Sequence, residues 1–210
     1  MARVDFRLYL VTDRHQTLGR PLLDLLGSCL AAGVRAVQLR EKDLPARELY
    51  RLALEIRELT RRYGARLLVN DRIDVALAAE ADGAHLPAHS LPVAEARRLL
   101  GPDRLLGVST HSVVEAVEAQ AEGADFVVLG PIYDTPSKRP FGSPLGPGVL
   151  RAARAEIAIP IFAIGGVAAA NAPEVLAAGA DGVAVISAIL AAPDPAEATR
   201  ALLAVVGGAR

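Results

Sequence analysis

Eight short apolar runs recur along this 210-residue chain, and most of them end directly in polar residues. Leu8 to Val11, for example, is followed by Thr12-Asp13, and Leu67 to Val69 is followed by Asn70-Asp71. Stretches with a helical pattern separate successive runs, and this alternation predicts parallel strands joined by right-handed helical crossovers. Because polar residues gather at one end of successive strands, the chemistry is expected on one face of the sheet. In a (β/α)8 barrel, the C-terminal face is the catalytic one.

The even spacing of these units predicts the fold class. We expect an α/β protein that forms a single-domain (β/α)8 TIM barrel with parallel strands over residues 1–210. An open doubly wound sheet is the competing fold, but eight evenly spaced units favour closure. Gly33, Gly83, Gly123 and Gly179 are expected where helices end, because glycine readily adopts the left-handed conformation there. The predicted helices cover residues 21–32, 45–63, 73–79, 92–99, 113–122, 148–155, 172–178 and 195–206.

Charge and apolar patterning exclude several classes of function. The net charge is −1 and the pI is about 6.4, so no global charge attracts nucleic acid or an anionic membrane. Asp5 and Arg7 interrupt the N-terminus, where a signal peptide would need an apolar core. The uncharged stretch from Ile157 to Pro173 is too short and too broken to span a bilayer. We therefore expect a cytoplasmic protein with no nucleic-acid or membrane partner, and the sequence leaves its oligomeric state open.

Composition also predicts how the core is filled. Hydrophobic residues make up 52% of the chain but aromatic residues only 4%, so Ala, Val, Leu and Ile are expected to form the interior. The lone cysteine, Cys29, cannot form an internal disulfide. It lies in an apolar helical pattern, which predicts a buried small hydrophobic side chain and not a nucleophile.

The segment Gln38-Leu39-Arg40-Glu41-Lys42 follows the second apolar run. If the strand continues through Lys42, alternation puts Gln38, Arg40 and Lys42 on the side that lines the barrel mouth. An amide, a planar guanidinium and an ammonium group together suit a diphosphate. The alternative is a charged, solvated loop in which Glu41 pairs within the segment.

Asn70-Asp71 ends the third apolar run. A carboxylate beside an amide at the end of a strand suits Mg²⁺, which prefers oxygen ligands. The alternative is a helix N-cap, a role that Asp and Asn commonly take. A single carboxylate makes a weak magnesium site, so a second acidic ligand is needed.

A polar segment at residues 109–112 follows the fifth run. Ser112 and Glu115 have the spacing of a capping box, which predicts a structural role for Ser112. His111 either exchanges protons near neutral pH or has an ordinary packing or capping role. His85 lies within the fourth run and is expected to be a hydrogen-bonded core residue.

The segment from Gly130 to Gly148 is the longest irregular part of the sequence. Loops of this length are usually functional or disordered. Its hydroxyl and basic side chains suit a lid that closes over a bound anion. Those side chains include Tyr133, Thr135, Ser137, Lys138 and Arg139.

Gly165-Gly166 and Ile186-Ser187 follow the seventh and eighth runs. Barrels often bind phosphate there through backbone N–H groups, and glycine lets the backbone approach the anion closely. The alternative for the two glycines is a tight turn. Because the two sites follow adjacent strands, the pattern favours phosphate.

In this order, the segments resemble those of the thiamine phosphate synthase / thiazole tautomerase superfamily. The resemblance covers essentially the whole chain, from Tyr9 to Ile189. It is carried by Gln38 to Lys42, Asn70 to Arg72, Gly107 to Ser112, Gly130 to Tyr133 and Ala163 to Val167. Synthases of this superfamily couple hydroxymethylpyrimidine diphosphate to a thiazole phosphate and release diphosphate. The resemblance thus implies phosphorylated pyrimidine and thiazole partners.

The resemblance also implies a dissociative reaction, in which Mg²⁺ and cationic side chains stabilise the leaving diphosphate. It implies that Asp71 binds the Mg²⁺. The diphosphate ligands that it implies are Gln38, Arg40, Lys42, Asn70 and Lys138. Ser109 would lie near the pyrimidine and the leaving group. It would therefore be a catalytic group, as would Arg40, Lys42 and Lys138. The implied contacts to the thiazole phosphate are Thr135, Ser137, Gly166, Ile186 and Ser187.

One segment departs from the synthase pattern. Synthases carry a second metal-binding Asp in a Gly-Gln-x-Asp segment after the fourth strand, and here Ser90 stands at that position. A neutral hydroxyl stabilises Mg²⁺ far less than a carboxylate does. His89 is no substitute, because imidazole is a poor ligand for magnesium.

The departure keeps two alternatives open. The segment Leu86-Pro87-x-x-Ser90 is similar to thiazole tautomerases, which isomerise a thiazole carboxylate phosphate without metal or diphosphate. In those enzymes a histidine at the position of His111 is implicated in proton transfer. The other alternative is a non-catalytic relative that binds phosphate and has lost turnover. The complete set of diphosphate ligands favours the synthase.

Overall fold

Short apolar strands alternate with helices along the whole chain. The computed structural model describes residues 4–135 and 143–208. Its strands are β1 Leu8–Val11, β2 Ala36–Leu39, β3 Arg66–Asn70, β4 Gly83–Leu86, β5 Leu105–Thr110, β6 Phe126–Leu129, β7 Ile161–Ala163 and β8 Gly182–Val185. Its helices are α1 Leu22–Ala31, α2 Ala46–Arg62, α3 Ile73–Ala78, α4 Val93–Leu100, α5 Val113–Ala121, α6 Gly148–Glu156, α7 Ala172–Ala177, α8 Ser187–Leu190 and α9 Pro195–Gly208.

The strands form one closed, parallel sheet. Each strand pairs with the next one in sequence, and β8 returns to pair with β1. In the closing ladder, Tyr9 lies opposite Ala184 and Leu10 lies opposite Val185. The predicted (β/α)8 barrel is therefore confirmed, and the open sheet is excluded.

The predicted helices are confirmed to within a few residues at each end. Helix α8 and a 3-10 helix at Arg14–Gln16 were not expected, because both are too short for a helical period to show in the sequence. Positive φ angles at Gly33, Gly123 and Gly179 confirm three of the predicted helix ends. The prediction for Gly83 is wrong, because Glu80 takes the left-handed conformation there and Gly83 begins β4. None of the helices in the described residues has the length and apolarity needed to cross a membrane.

The barrel interior corrects the expectation of a purely aliphatic core. Aliphatic side chains do fill the layer between the sheet and the helices, where Cys29 is buried as predicted. Inside the barrel, however, four aromatic rings contact one another, with centroids 5.3 to 6.2 Å apart. These rings belong to Phe6, Tyr9, Phe126 and Phe162. Gly107 and Gly182 leave the space, since a Cβ on either would lie within 2.7 Å of a ring.

An aspartate before each of three even-numbered strands fastens the end of the barrel where the strands begin. Each carboxylate accepts the N–H of a residue at the start of the preceding strand and pairs with an arginine on the helix that leads into that preceding strand. The aspartates are Asp82, Asp125 and Asp181, and their arginines are Arg57, Arg97 and Arg154. This repeated contact makes this end of the barrel a stabilising face.

Asp125 offers a direct test of this role. Its carboxylate accepts the Leu106 N–H at 2.7 Å and pairs with Arg97 at 2.5 Å. We expect Asp125→Ala to lower the free energy of unfolding by about 2 to 3 kcal/mol. The reason is that the Leu106 N–H and the Arg97 guanidinium both lose their charged, partly buried acceptor. Urea denaturation measures this change. The exposed Asp103 is the matched control, and Asp103→Ala should change stability by less than about 0.5 kcal/mol. Equal effects of the two variants would contradict the proposed contact.

Candidate active site

The carboxyl ends of the strands meet at one rim, and the predicted site residues lie there. Arg40 follows β2, Asp71 follows β3, and Ser187 follows β8. Because every ladder is parallel, these three residues come to the same end of the barrel. Ser137 and Lys138, predicted as thiazole and diphosphate ligands, lie outside the described residues.

The segment after β2 does not continue the strand through Lys42, so that expectation is wrong. The strand ends at Leu39, because the Arg40 N–H donates to the Thr12 side-chain oxygen at 2.9 Å and leaves the backbone ladder. Gln38 is buried inside the barrel, where its amide donates to the Tyr9 hydroxyl at 3.2 Å. Arg40 is half-buried and Lys42 is exposed. Turn geometry, rather than strand alternation, therefore orients the two cations.

The solvated-loop alternative assumed that Glu41 pairs within its own segment, and the structure shows a different partner, Arg14. The Glu41 side chain is 1% exposed, and its two carboxylate oxygens accept the Arg14 backbone N–H at 3.1 and 3.2 Å. The Arg14 guanidinium adds an ion pair at 3.1 Å. Arg14 also forms a two-pronged contact with Asp43, at 2.6 and 2.7 Å. The loops after β1 and β2 are thus joined at the rim.

A buried histidine lies directly beneath the rim and contacts a predicted site residue. His85 Nε2 lies 2.9 Å from Ser109 Oγ, and the His85 side chain is buried. Burial, and to a lesser extent the charge of Arg40, lowers the pKa of His85 to about 3. Tyr9 contacts the His85 ring, and burial raises the Tyr9 pKa above its usual range.

These values restrict what the His85 and Ser109 pair can do. An imidazole with a pKa of about 3 is too weak a base to activate a serine nucleophile at neutral pH. Its other nitrogen, Nδ1, is buried and makes no hydrogen bond to the described residues, so nothing there orients the ring as in a catalytic triad. The pair can supply neutral hydrogen bonds to a ligand, and it does not suit acyl transfer.

Asp71 lies on the rim without serving as a helix cap. The N-cap of α3 is Arg72, and no side chain caps that helix, so the capping alternative is not borne out. Asp71 is exposed, and its backbone is left-handed, with φ of +64°. Its N–H donates to the His85 carbonyl oxygen at 2.8 Å. Asn70 ends β3 in register with His85.

No three metal-ligating side chains gather in residues 4–135 and 143–208. Ser90, at the position where the synthase pattern has an acidic ligand, is half-buried, and its N–H donates to the Pro87 carbonyl oxygen. Of the two metal ligands that the synthase pattern expects, only Asp71 is a carboxylate in this chain. That donor set suits only a cation whose shell is completed by substrate oxygens and water.

The predicted capping of α5 is confirmed. Ser112 Oγ accepts the Glu115 N–H at 3.1 Å. The Glu115 carboxylate reaches back to the His111 N–H at 2.8 Å, and His111 Nδ1 lies 3.4 Å from the same oxygen. His111 is exposed on the rim. These contacts give His111 a place at the helix start and leave its role in proton transfer a prediction.

The described start of the 130–148 segment is anchored to the barrel. The Tyr133 hydroxyl donates to Glu174 on α7 at 2.6 Å, and burial together with this acceptor raises the pKa of Tyr133 to about 12. Tyr133 N–H also donates to the Gly165 carbonyl oxygen. Thr135, predicted to contact the thiazole substrate, is half-buried and donates its hydroxyl to the Tyr133 carbonyl oxygen at 3.1 Å.

The glycines after β7 have the features of the tight-turn alternative. Gly165 and Gly166 have φ of +92° and +66°, and a Cβ on either would lie within 2.8 Å of residues 131–133. Their small size therefore lets the 130–134 segment pack against the turn. This requirement does not conflict with phosphate binding. Gly166 is exposed at the rim, as is Ser187, and Ile186 is half-buried at the start of α8.

A family model described as thiamine monophosphate synthase matches residues 8–189. The chain belongs to the thiamine monophosphate synthase family. The match extends across all eight strands, so the resemblance inferred from the short segments is confirmed. A protein from Geobacter sulfurreducens is 60% identical to this chain. The comparison covers 98% of this chain and 97% of the Geobacter protein.

Other proteins similar to this chain support its assignment to the family. A thiamine-phosphate synthase from Moorella thermoacetica is 53% identical over 97% of each chain. A solved structure of a thiamine phosphate pyrophosphorylase from Pyrococcus furiosus has a TM-score of 0.87 and 38% identity. That comparison covers 96% of this chain and 95% of the other.

Sequence reasoning missed several residues that support the site of this family member. Tyr9 accepts a hydrogen bond from the Gln38 amide, and Thr12 accepts one from the Arg40 N–H. Arg14 donates to the Glu41 carboxylate. His85 was expected only as a core residue, and its contact with Ser109 was not foreseen. The available signal was alternation in β1 and β4, which turns Tyr9 and His85 inward.

The low pKa of His85 predicts how stability depends on pH. Between pH 6.5 and 3 the unfolded chain binds a proton on this histidine that the folded protein does not bind, so stability falls as the pH falls. Between pH 7 and pH 5, we expect the wild type to lose about 2 kcal/mol more than a His85→Gln variant. Chemical denaturation at both pH values measures this difference. His89→Gln, at an exposed histidine, should behave like the wild type, and parallel curves for wild type and His85→Gln would refute the assignment.

Proposed function

We propose that this protein is a thiamine-phosphate synthase, which couples hydroxymethylpyrimidine diphosphate to a thiazole phosphate. The bond from the pyrimidine methylene carbon to the diphosphate oxygen breaks, and its electron pair leaves with the diphosphate. The thiazole nitrogen then forms the new bond to that carbon. The observation that carries the proposal is the position of Arg40, a half-buried cation directly after β2 at the rim that also carries the end of β5 with Ser109 bonded to His85.

The interior beneath Arg40 suits a neutral heteroaromatic ring. Gln38, Tyr9, His85 and Ser109 supply hydrogen-bonding groups there, and neither Tyr9 nor His85 is charged at neutral pH. A pyrimidine offers ring nitrogens and an amino group that can use such partners. The cationic rim above then receives the diphosphate, so the two halves of this substrate match two different environments.

Stabilisation of the leaving diphosphate is the main catalytic task in this proposal. Arg40 and Lys42 would offset its developing charge, and Gln38 and Asn70 would add hydrogen bonds. Ser109 would donate to the substrate, because His85 is too weak a base to make it a nucleophile. Lys138 stays a predicted ligand of the same group.

The residues present fit Mg²⁺ in the manner of sites that use one carboxylate together with substrate phosphates. Asp71 supports this assignment, because it is exposed at the rim and does not cap α3. When bound by Asp71, Mg²⁺ would neutralise part of the negative charge on the diphosphate. Ser90 adds at most a neutral oxygen.

The thiazole phosphate would bind on the side of the rim formed by β7 and β8. Gly166, Ile186 and Ser187 would bind its phosphate through backbone N–H groups, which at a helix start have no partner within the helix. Thr135 and Ser137 would contact the ring. The neighbouring positions of the turn after β7 and the start of α8 support this arrangement.

A paired assay tests the function. The purified protein, incubated with both substrates and Mg²⁺, should produce thiamine phosphate and diphosphate in equal amounts, as read by mass spectrometry. Without Mg²⁺ the rate should fall, because the leaving diphosphate is less well neutralised. Parallel incubation with the thiazole carboxylate phosphate tests the tautomerase alternative.

The outcomes of this assay are distinct. Isomerisation that needs no metal and is abolished in His111→Ala would replace the synthase by the tautomerase. Binding of thiazole phosphate without either reaction would leave a non-catalytic relative. Failure to form thiamine phosphate with substrates that a known synthase consumes would overturn the proposal.

Arg40→Ala tests the assignment of the diphosphate site. We expect the Kd for inorganic diphosphate to rise about 10- to 100-fold, because a charged hydrogen-bond donor is lost, while thiazole phosphate affinity changes little. Isothermal titration calorimetry measures both. Arg51→Ala, at an exposed arginine on α2, is the control and should alter neither affinity. Equal weakening of both ligands by Arg40→Ala would show that the site is wrongly assigned.

A further inference from the structure

Glu41 places a negative charge between the two cations proposed to bind diphosphate. It is flanked in sequence by Arg40 and Lys42, and a carboxylate there competes with the substrate for the same positive charge. Opposite charges a few ångströms apart attract one another near a protein surface. An ion pair between Glu41 and either neighbour would therefore reduce the affinity of the rim for an anion.

The structure turns Glu41 away from this competition. The Arg40 N–H donates to the Thr12 side-chain oxygen, and Arg40 is half-buried at the rim. The Glu41 carboxylate, the next side chain, is buried against the loop after β1. Adjacent side chains thus point to different surroundings, and the buried contact with Arg14 fixes the direction of Glu41.

Arg14 supplies every hydrogen bond that the Glu41 carboxylate receives from the described residues. Its backbone N–H donates to both carboxylate oxygens, and its guanidinium donates to one of them. The guanidinium also neutralises a carboxylate that is almost fully removed from water. Burying a charge is costly unless it is paired, so Arg14 is the condition for keeping Glu41 in this position.

We propose that Arg14 is a positioning residue that sequesters Glu41, so that Arg40 keeps its positive charge for the diphosphate. Arg14 itself does not contact the substrate in this account. The inference rests on the proposed function, because it needs a diphosphate site at Arg40. It adds two residues, Arg14 and Glu41, to those that determine the affinity of that site.

A double-variant rescue tests the inference. In Arg14→Gln, Glu41 is left unneutralised beside the cations, and the Kd for inorganic diphosphate should rise about tenfold by calorimetry. Glu41→Gln alone should bind diphosphate at least as tightly as the wild type. Adding Glu41→Gln to Arg14→Gln should restore wild-type affinity, because the competing charge is gone. KM for the pyrimidine diphosphate should follow the same order, and kcat should fall in Arg14→Gln and recover in the double variant, because the same positive charge stabilises the leaving diphosphate.

Asp43→Asn is the matched control, because Asp43 is the exposed partner of the same guanidinium. It leaves the contact between Arg14 and Glu41 in place and should change diphosphate affinity less than twofold. If Arg14→Gln does not fold, Arg14→Lys replaces it. Its single ammonium should weaken binding less, and Glu41→Gln should again restore it.

The results separate the inference from the proposed function. A double variant that binds as weakly as Arg14→Gln overturns the inference, because it makes Arg14 a direct ligand or a purely structural residue. A wild type that binds diphosphate and forms thiamine phosphate would leave the proposed function standing in that case. A wild type that does neither overturns both.

Discussion

Closure of the sheet is the constraint on which the rest of the structure depends. Because β8 pairs in parallel with β1, every strand has two neighbours and all carboxyl ends share one rim. Arg40, Asp71 and Ser187 meet there although the sequence separates them widely. Closure also creates a narrow interior, which the aromatic cluster around Phe126 fills beneath the polar layer. A site and its supporting core thus follow from one ladder of backbone hydrogen bonds.

The same geometry divides the site into a charged rim and a neutral interior. Burial keeps His85 and Tyr9 uncharged, so these groups offer hydrogen bonds but no charge. Charge is confined to the loops, where Arg14 binds Glu41. This division fits the chemistry of a substrate with a neutral ring and a diphosphate, and it matches the family to which the chain belongs.

Much of the fold and the location of the site could be predicted, because apolar periodicity is a local property of the sequence. β1 has the bounds of its apolar run, and Ser112 caps α5 as its spacing indicated. The errors arose where a distant side chain decides the outcome. β2 ends at Leu39 because Thr12 takes the next N–H, and the few aromatic residues are concentrated inside the barrel.

The sequence by itself determined the order of strands and helices, the rim that carries the polar segments and the resemblance to one family. Tertiary structure alone decided which of those side chains touch. His85 meets Ser109 across 24 residues of sequence, and Arg14 meets Glu41 across 27. Such contacts depend on the register between strands and on how loops pack. Periodicity reports which way a residue faces within its own strand, but not what lies opposite it.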